Sequence, residues 1–116
     1  MKIELIGKID TGGDYSELYI GDNMLSAQMV CFDQEKCKVM YYISDKPIDK
    51  EKVVENMLLT YYGNTEVDST YISGSSWTGV YSRNDIVEVG GHDIVNELAQ
   101  HINEYCYLIA ETYEEK

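Results

Sequence analysis

Apolar and polar residues alternate along several short stretches of the chain, and this period of two is typical of half-buried strands. Residues 2–9 and 37–44 show the alternation most clearly. Glycine, aspartate and threonine at 10–14 predict a turn, so residues 16–20 are expected to return as the second strand of a hairpin. Further strands or extended pieces are predicted over 66–73, 77–81, 86–89 and 106–112.

Two other segments have the spacing of amphipathic helices. The first covers 50–62, where Asp49 can cap the start and Gly63 is suited to end the helix. The second begins after Asp93, which can cap it in the same way. Residues 24–31 predict a short helix or an irregular segment that covers a sheet edge. The expected apolar faces consist of Val53, Val54, Met57, Leu58 and Tyr61 in the first helix, and of Ile94, Leu98, His101, Ile102 and Tyr105 in the second.

The order of these elements favours an α+β fold with a mostly antiparallel sheet of five to six strands and two principal helices. We predict a single domain, residues 1–116, with no internal repeat and no low-complexity linker. A chain of this length can bury a core without metal or disulfides.

Composition points to a cytoplasmic protein. No apolar run approaches the ~20 residues that span a bilayer, so no membrane partner is expected. The N-terminus alternates and carries Glu4 early, unlike a signal peptide. Cys31, Cys37 and Cys106 are odd in number and fit no zinc spacing, which favours reduced thiols and predicts neither metal nor cofactor.

The net charge of −12 disfavours direct binding of nucleic acid. Two interpretations of the charge remain. It can serve solubility, or its acids can imitate phosphates and occupy a basic groove of a nucleic-acid-binding enzyme. Apart from Glu111, Glu114 and Glu115 in the tail, the acids are scattered along the chain, which favours solubility.

Residues 71–93 hold the features that suit a polar ligand. Trp77 and Tyr81 can stack on a base, and Arg83, the only arginine, can form bidentate bonds with phosphate or carboxylate. Asn84 and neighbouring hydroxyls can bind ribose or phosphate. The alternative is that Trp77 belongs to the core and Arg83 is a surface charge.

Gly90-Gly91-His92-Asp93 is a glycine-rich turn at a helix start, where backbone N–H groups can receive phosphate. The competing interpretation, which we favour, is that the Asp93 carboxylate caps the helix itself. His92 and Asp93 are adjacent in sequence, an unfavourable arrangement for a catalytic dyad, and no nucleophile is marked near them. The chain is therefore expected not to be an enzyme.

A resemblance to known proteins adds to these patterns. Lys8-Ile-Asp-Thr-Gly-Gly-Asp14, Trp77-Thr78 and the run from Gly90 to Leu98 resemble small proteins encoded by phages of Firmicutes, over most of the chain. Size, acidic charge and architecture are also similar to the phage anti-Thoeris sponges. Those proteins sequester a cyclic ADP-ribose signal without cleaving it, in pockets at an oligomer interface. Since Arg83 is the sole arginine, a pocket with two arginines from one chain is excluded.

The resemblance implies an anti-defence protein that binds a cyclic ADP-ribose-like nucleotide, and we expect a homo-oligomer. The expected ligand-binding residues are Trp77, Tyr81, Arg83, Asn84, Gly91, His92 and Asp93. The alternative is an acidic inhibitor of a host defence protein, such as an anti-CRISPR or nucleic-acid mimic. The partner is then a protein rather than a small nucleotide signal.

Overall fold

The computed structural model describes residues 1–11, 18–73 and 81–113. The backbone alone is described at positions 11, 55, 68–73 and 81–85. The strands are β1 (Lys2–Thr11), β2 (Leu18–Ile20), β3 (Asn23–Met24), β4 (Lys36–Ser44), β5 (Leu59–Ser73), β6 (Tyr81–Val89), β7 (His92–Asp93) and β8 (Tyr105–Thr112). The helices are α1 (Leu25–Met29) and α2 (Ile94–Ala99).

The eight strands form one sheet in the order β3-β2-β1-β8-β4-β5-β6-β7, and all the described pairs are antiparallel. The predicted α+β class is confirmed, whereas five to six strands was too few. The hairpin of β1 and β2 and the strand at β4 are confirmed. Within the described residues, no helix is long and apolar enough to cross a membrane.

The helix predicted over 50–62 is wrong. Two isolated 3-10 turns, Lys50–Lys52 and Glu55–Met57, occupy its first part, and β5 begins at Leu59. Asp49 does cap the first turn, because its Oδ1 accepts from the Glu51 N–H at 3.1 Å. Residues 59–64 instead hydrogen-bond to β4, so pairing with a strand distant in sequence prevails over the local helical spacing.

The absence of an internal repeat was also wrongly predicted, because the chain is built from two similar halves. In each half, the first long strand passes close to the turn that follows the second strand of its hairpin. A glycine on the strand contacts a glycine in that turn, Gly7 with Gly21 in the first half and Gly63 with Gly90 in the second. The Gly21 N–H donates to Lys8 O at 2.9 Å, and in the second half the Gly90 N–H donates to Asn64 O at 3.0 Å. A Cβ on Gly7 or on Gly63 would lie 2.6 or 2.5 Å from the Cα of the opposing glycine.

The two halves are interlocked rather than side by side. After α1, the Gln34 N–H donates to Thr65 O at 2.8 Å, and after α2 the Asn103 N–H donates to Ile9 O at 2.8 Å. Both donors have positive φ, 65° and 74°. The last strand of each half pairs with the first strand of the other, β4 with β5 and β8 with β1. Neither half therefore completes its sheet alone.

Both helices pack against the same face of the sheet. Their inward residues, Leu25 and Met29 on α1 and Ile94 and Leu98 on α2, are fully buried. The predicted start of the second helix at Asp93 is confirmed, and the helix ends at Ala99, before His101, Ile102 and Tyr105. The opposite face of the central strands has no described helix on it.

Candidate functional site

The structure separates the residues predicted to bind a ligand. Tyr81, Arg83 and Asn84 lie at the first end of β6, where the register places Arg83 opposite Tyr71. Gly91, His92 and Asp93 lie beyond the other end of the same strand. Arg83 and Val89 are six positions apart along the strand, which corresponds to about 20 Å. Trp77 lies outside the described residues.

The start of α2 is capped from within the chain. Asp93 Oδ1 accepts from the Asn96 N–H at 2.9 Å, so the carboxylate takes the place that a phosphate would occupy. The self-capping interpretation of this turn is thereby confirmed. Gly91, with φ +84° and no atom within 4 Å of an added Cβ, serves the turn.

His92 is part of an aromatic stack that the sequence did not reveal. Its ring lies parallel to that of Tyr61, with 3.7 Å between centroids and 10° between planes. The His92 side chain is half exposed, at 49%. Tyr61 also contacts the Tyr41 ring at 6.3 Å, tilted by 58°. The stack therefore joins the turn before α2 to the central strands.

Glu97 on α2 accepts hydrogen bonds from the hydroxyl groups of the two tyrosines. Its Oε1 accepts from the Tyr41 hydroxyl at 2.8 Å and from the Tyr61 hydroxyl at 2.5 Å. Burial and then the bond to Glu97 raise the pKa of Tyr41, and the bond to Glu97 is the main cause that raises the pKa of Tyr61. Both tyrosines are held as neutral donors. We define Glu97, Tyr41, Tyr61 and His92 as the glutamate cluster.

The second carboxylate oxygen of Glu97 is open to a partner. It lies 3.9 Å from His92 Nδ1, beyond hydrogen-bonding distance, and the Glu97 side chain is 30% exposed. Among the described residues, no lysine or arginine forms an ion pair with it. A partly buried carboxylate with free lone pairs and aromatic neighbours suits a cation or a hydrogen-bond donor.

The repeat provides an internal comparison for the glutamate cluster. The first half has the same crossing and the same helix, yet it carries no such cluster. Gln28 takes the place of Glu97, and Asn23 that of His92. The remaining equivalent residues are Leu5 for Tyr61 and Ala110 for Tyr41. The fold therefore does not require the cluster, which forms only where the second half meets Tyr41 on β4 of the first half.

A second feature of this half is a row of acids across three strands. Glu66 on β5 is directly opposite Glu88 on β6, and Glu88 is directly opposite Asp93 on β7. Within the described part of the chain, no lysine or arginine forms an ion pair with these three. Like charges directly opposite in a sheet are destabilising. We define Glu66, Glu88 and Asp93 as the acid row.

The charge of the chain is concentrated in this half. Residues 53–116 contain 11 acidic side chains and only two basic ones, Arg83 and Lys116, whereas residues 1–52 contain ten acidic side chains and seven lysines. In the first half the positions equivalent to the acid row are Asp10, Tyr19 and Met24. The acids are thus unevenly divided between the two halves of the chain.

The glutamate cluster and the acid row were both missed from sequence. Glu97 had one usable signal, because it lies three residues after Ile94 and so on the side of α2 that carries the apolar face. The acid row had none before the register of β5 and β6 was known.

Comparison of the chain with protein-family models, with curated proteins and with solved structures finds no match.

Proposed function

We propose that the chain is a phage-type anti-defence protein that acts in the host cytoplasm as an acidic, protein-directed inhibitor. It binds a basic, nucleic-acid-binding groove of a defence enzyme and performs no reaction itself. The acid row carries this proposal. Three carboxylates in register cost stability when no cation lies between them, and a basic partner surface would supply the missing cations.

Two further observations support a protein partner with a basic surface. The second half carries nine more acidic than basic side chains, against three more in the first half, and this excess would steer the chain toward a positive groove. The glutamate cluster adds an open carboxylate oxygen beside a half-exposed aromatic stack, and this combination suits a lysine or arginine side chain.

The proposal is tested by measuring DNA cleavage by guide-loaded Cas9 and Cas12 and by restriction endonucleases, with and without the purified chain. We expect at least one of these effectors to be inhibited in competition with its DNA, and the inhibition to weaken as salt is raised. If no effector in the panel is bound or inhibited, the proposal is contradicted.

A charge reversal in the acid row separates binding from folding. We expect Glu88→Lys to weaken inhibition about tenfold or more, because it places a cation at the centre of the contact. The same change should raise the free energy of unfolding by about 0.5 kcal/mol, since it relieves two like-charge contacts. Inhibition is measured by titration and stability by urea unfolding.

Glu51→Lys is the matched control for that variant. It makes the same change of net charge on an exposed residue of the 3-10 turn at 50–52. We expect it to retain inhibition close to that of the unaltered chain. Equal losses in the two variants would mean that only overall charge matters and would contradict a contact at the acid row.

A second candidate function is sequestration of a cyclic ADP-ribose-like nucleotide. It is favoured by the register of β6, where Arg83 pairs with Tyr71, and Tyr81 is two residues away along the strand. Tyrosines and the only arginine at neighbouring register positions are residue types that would suit a base and a phosphate.

This candidate predicts that cyclic ADP-ribose isomers raise the melting temperature and are released intact on heating. Calorimetry should show Arg83→Ala losing the binding and Arg83→Lys retaining part of it, because lysine keeps the charge without the bidentate fork. Unchanged affinity in Arg83→Ala would exclude Arg83 as the phosphate ligand. The absence of any thermal shift would exclude sequestration of these nucleotides.

A further inference from the structure

The face of the central sheet opposite the helices is large and uncovered by any described helix. It is formed by the outward residues of β1, β8, β4 and β5. The molecule is only 19 Å thick in its smallest Cα dimension, against 50 and 37 Å in the others. Its radius of gyration is 14.7 Å, above the roughly 13 Å of a compact chain of this length. It is a plate of two layers.

Apolar and aromatic side chains on this face are interspersed with charged ones. Met40 and Tyr107, near its centre, are each only 8% exposed. Met40 and Ile109 are directly opposite each other in the β4–β8 register and occupy equivalent positions in the two halves, so they mark the centre of the face. Around them, Ile6 is 42% exposed and Tyr62 54% exposed. Tyr62 packs edge-on against Tyr113, with 5.5 Å between centroids.

The charges on this face are balanced, unlike those of the chain as a whole. Lys2 lies 3.6 Å from Glu4, and Lys38 lies 3.9 Å from Glu111. The face consequently lacks the excess of acid that would attract a basic partner. Its lysine and glutamate pairs can exchange partners with the same pairs on an identical face.

The size of the face approaches that of a dimer interface. Four strands about 4.8 Å apart, each about eight residues long, cover roughly 500 Å² in projection, and protruding side chains increase the accessible area. Stable interfaces bury roughly 800 Å² per partner. At one corner, Tyr42 and the segment from Pro47 to Met57 line a recess of about 240 Å³ that can receive a side chain from the partner.

From these observations we infer that the open face binds a second copy of the chain. Two sheets pack face to face about 10 Å apart, and the apolar centre around Met40 and Ile109 becomes a shared core. The helices of each copy remain on the outside. Glu66 lies four residues beyond Tyr62 on β5 and so on the same side of that strand, at the edge of the open face. The proposed contact is centred on β4 and β8, so the dimer does not rest on the proposed inhibition.

Sedimentation equilibrium of the full chain tests the inference. We expect twice the 13.3 kDa chain mass at about 50 µM. Raising salt should strengthen the dimer because it screens the repulsion between two chains of charge −12. Effector binding through the acid row has the opposite salt dependence.

Two matched lysine substitutions locate the contact. Ile6→Lys places a charge on the open face and should weaken dimerisation at least tenfold, whereas Val30→Lys places the same charge at an exposed apolar residue next to α1 and should leave it unchanged. Circular dichroism checks folding, and Tyr62→Lys replaces Ile6→Lys if that variant unfolds. A monomeric unaltered chain, or dissociation by Val30→Lys alone, would overturn the inference. A dimer that inhibits no effector would contradict only the proposed function.

Discussion

Replacing Gly90 with alanine is expected to lower the free energy of unfolding by about 3 kcal/mol. A Cβ at this position would lie 2.1 Å from Tyr62 O and 3.0 Å from Tyr62 C, and φ is +59°. The contacted atoms belong to the backbone of β5, which is held by β4 on its other side, so the strand cannot move away without breaking its own pairing. Urea unfolding followed by far-ultraviolet circular dichroism measures the loss.

Gly91→Ala is the control, because it changes the neighbouring glycine of the same turn. Its φ of +84° is also positive, but no atom lies within 4 Å of the added Cβ. Backbone strain alone should cost about 1 kcal/mol. Equal losses for the two variants would show that the crossing of Gly63 and Gly90 is not the source of the larger effect.

The glycine pair illustrates what local sequence could and could not predict. A turn followed by a helix capped by Asp93 was predictable, because capping and turn formation depend on residues within a few positions. The close approach of Gly90 to Gly63 was not, since it depends on a strand more than twenty residues away. A glycine that serves packing and one that serves a turn look alike in sequence.

The region 50–62 shows how one stretch can satisfy two patterns. Val54, Met57 and Leu58 have helical spacing, while Leu59, Tyr61 and Gly63 alternate as a strand does. The edge of β4 decides between them, because it offers hydrogen bonds along residues 59–64 that a helix would leave unmade. Val54 and Met57 are consequently exposed rather than buried.

The repeat could not be predicted from the sequence, because the two halves share a backbone arrangement and few residues. The two halves make the same hydrogen bonds at their glycine contacts and after their helices. Few equivalent positions nevertheless carry the same residue. The shared residues include Gly7 with Gly63, Gly21 with Gly90, Glu35 with Glu104 and Cys37 with Cys106. Apolar residues can replace one another in a core as long as the total volume is kept. The core residues of the two halves therefore show no recognisable sequence similarity.

The two halves also divide the surface between two roles. The acid row and all of the glutamate cluster except Tyr41 belong to the second half, whereas the open face is shared almost equally by both. A dimer through that face would carry two acid rows, one from each copy. The proposed inhibitor would then bind two effectors, or both sides of one, and its avidity would fall with Ile6→Lys even though the acid row is intact.

The buried thiol of Cys106 makes the stability of the chain depend on alkaline pH. Burial raises the pKa of this thiol from 9.0 to about 12. As pH rises, the thiol therefore loses its proton at a lower pH in the unfolded chain than in the folded one. Between pH 9 and 12 the folded chain binds more protons than the unfolded chain. Stability from this group is complete below pH 9 and is lost as pH rises toward 12. A difference of three pH units corresponds to about 4 kcal/mol in all.

Cys106→Ala should remove that part of the pH dependence. The variant is expected to be less stable at neutral pH, because it leaves a small cavity, but its free energy of unfolding should fall less steeply between pH 9 and 12. The slope that remains comes from Cys37, Tyr41, Tyr61 and Tyr107, whose pKa values are also raised. Cys31→Ala, at an exposed thiol, should follow the unaltered chain. Parallel curves for Cys106→Ala and the unaltered chain would show that the buried thiol does not govern alkaline unfolding.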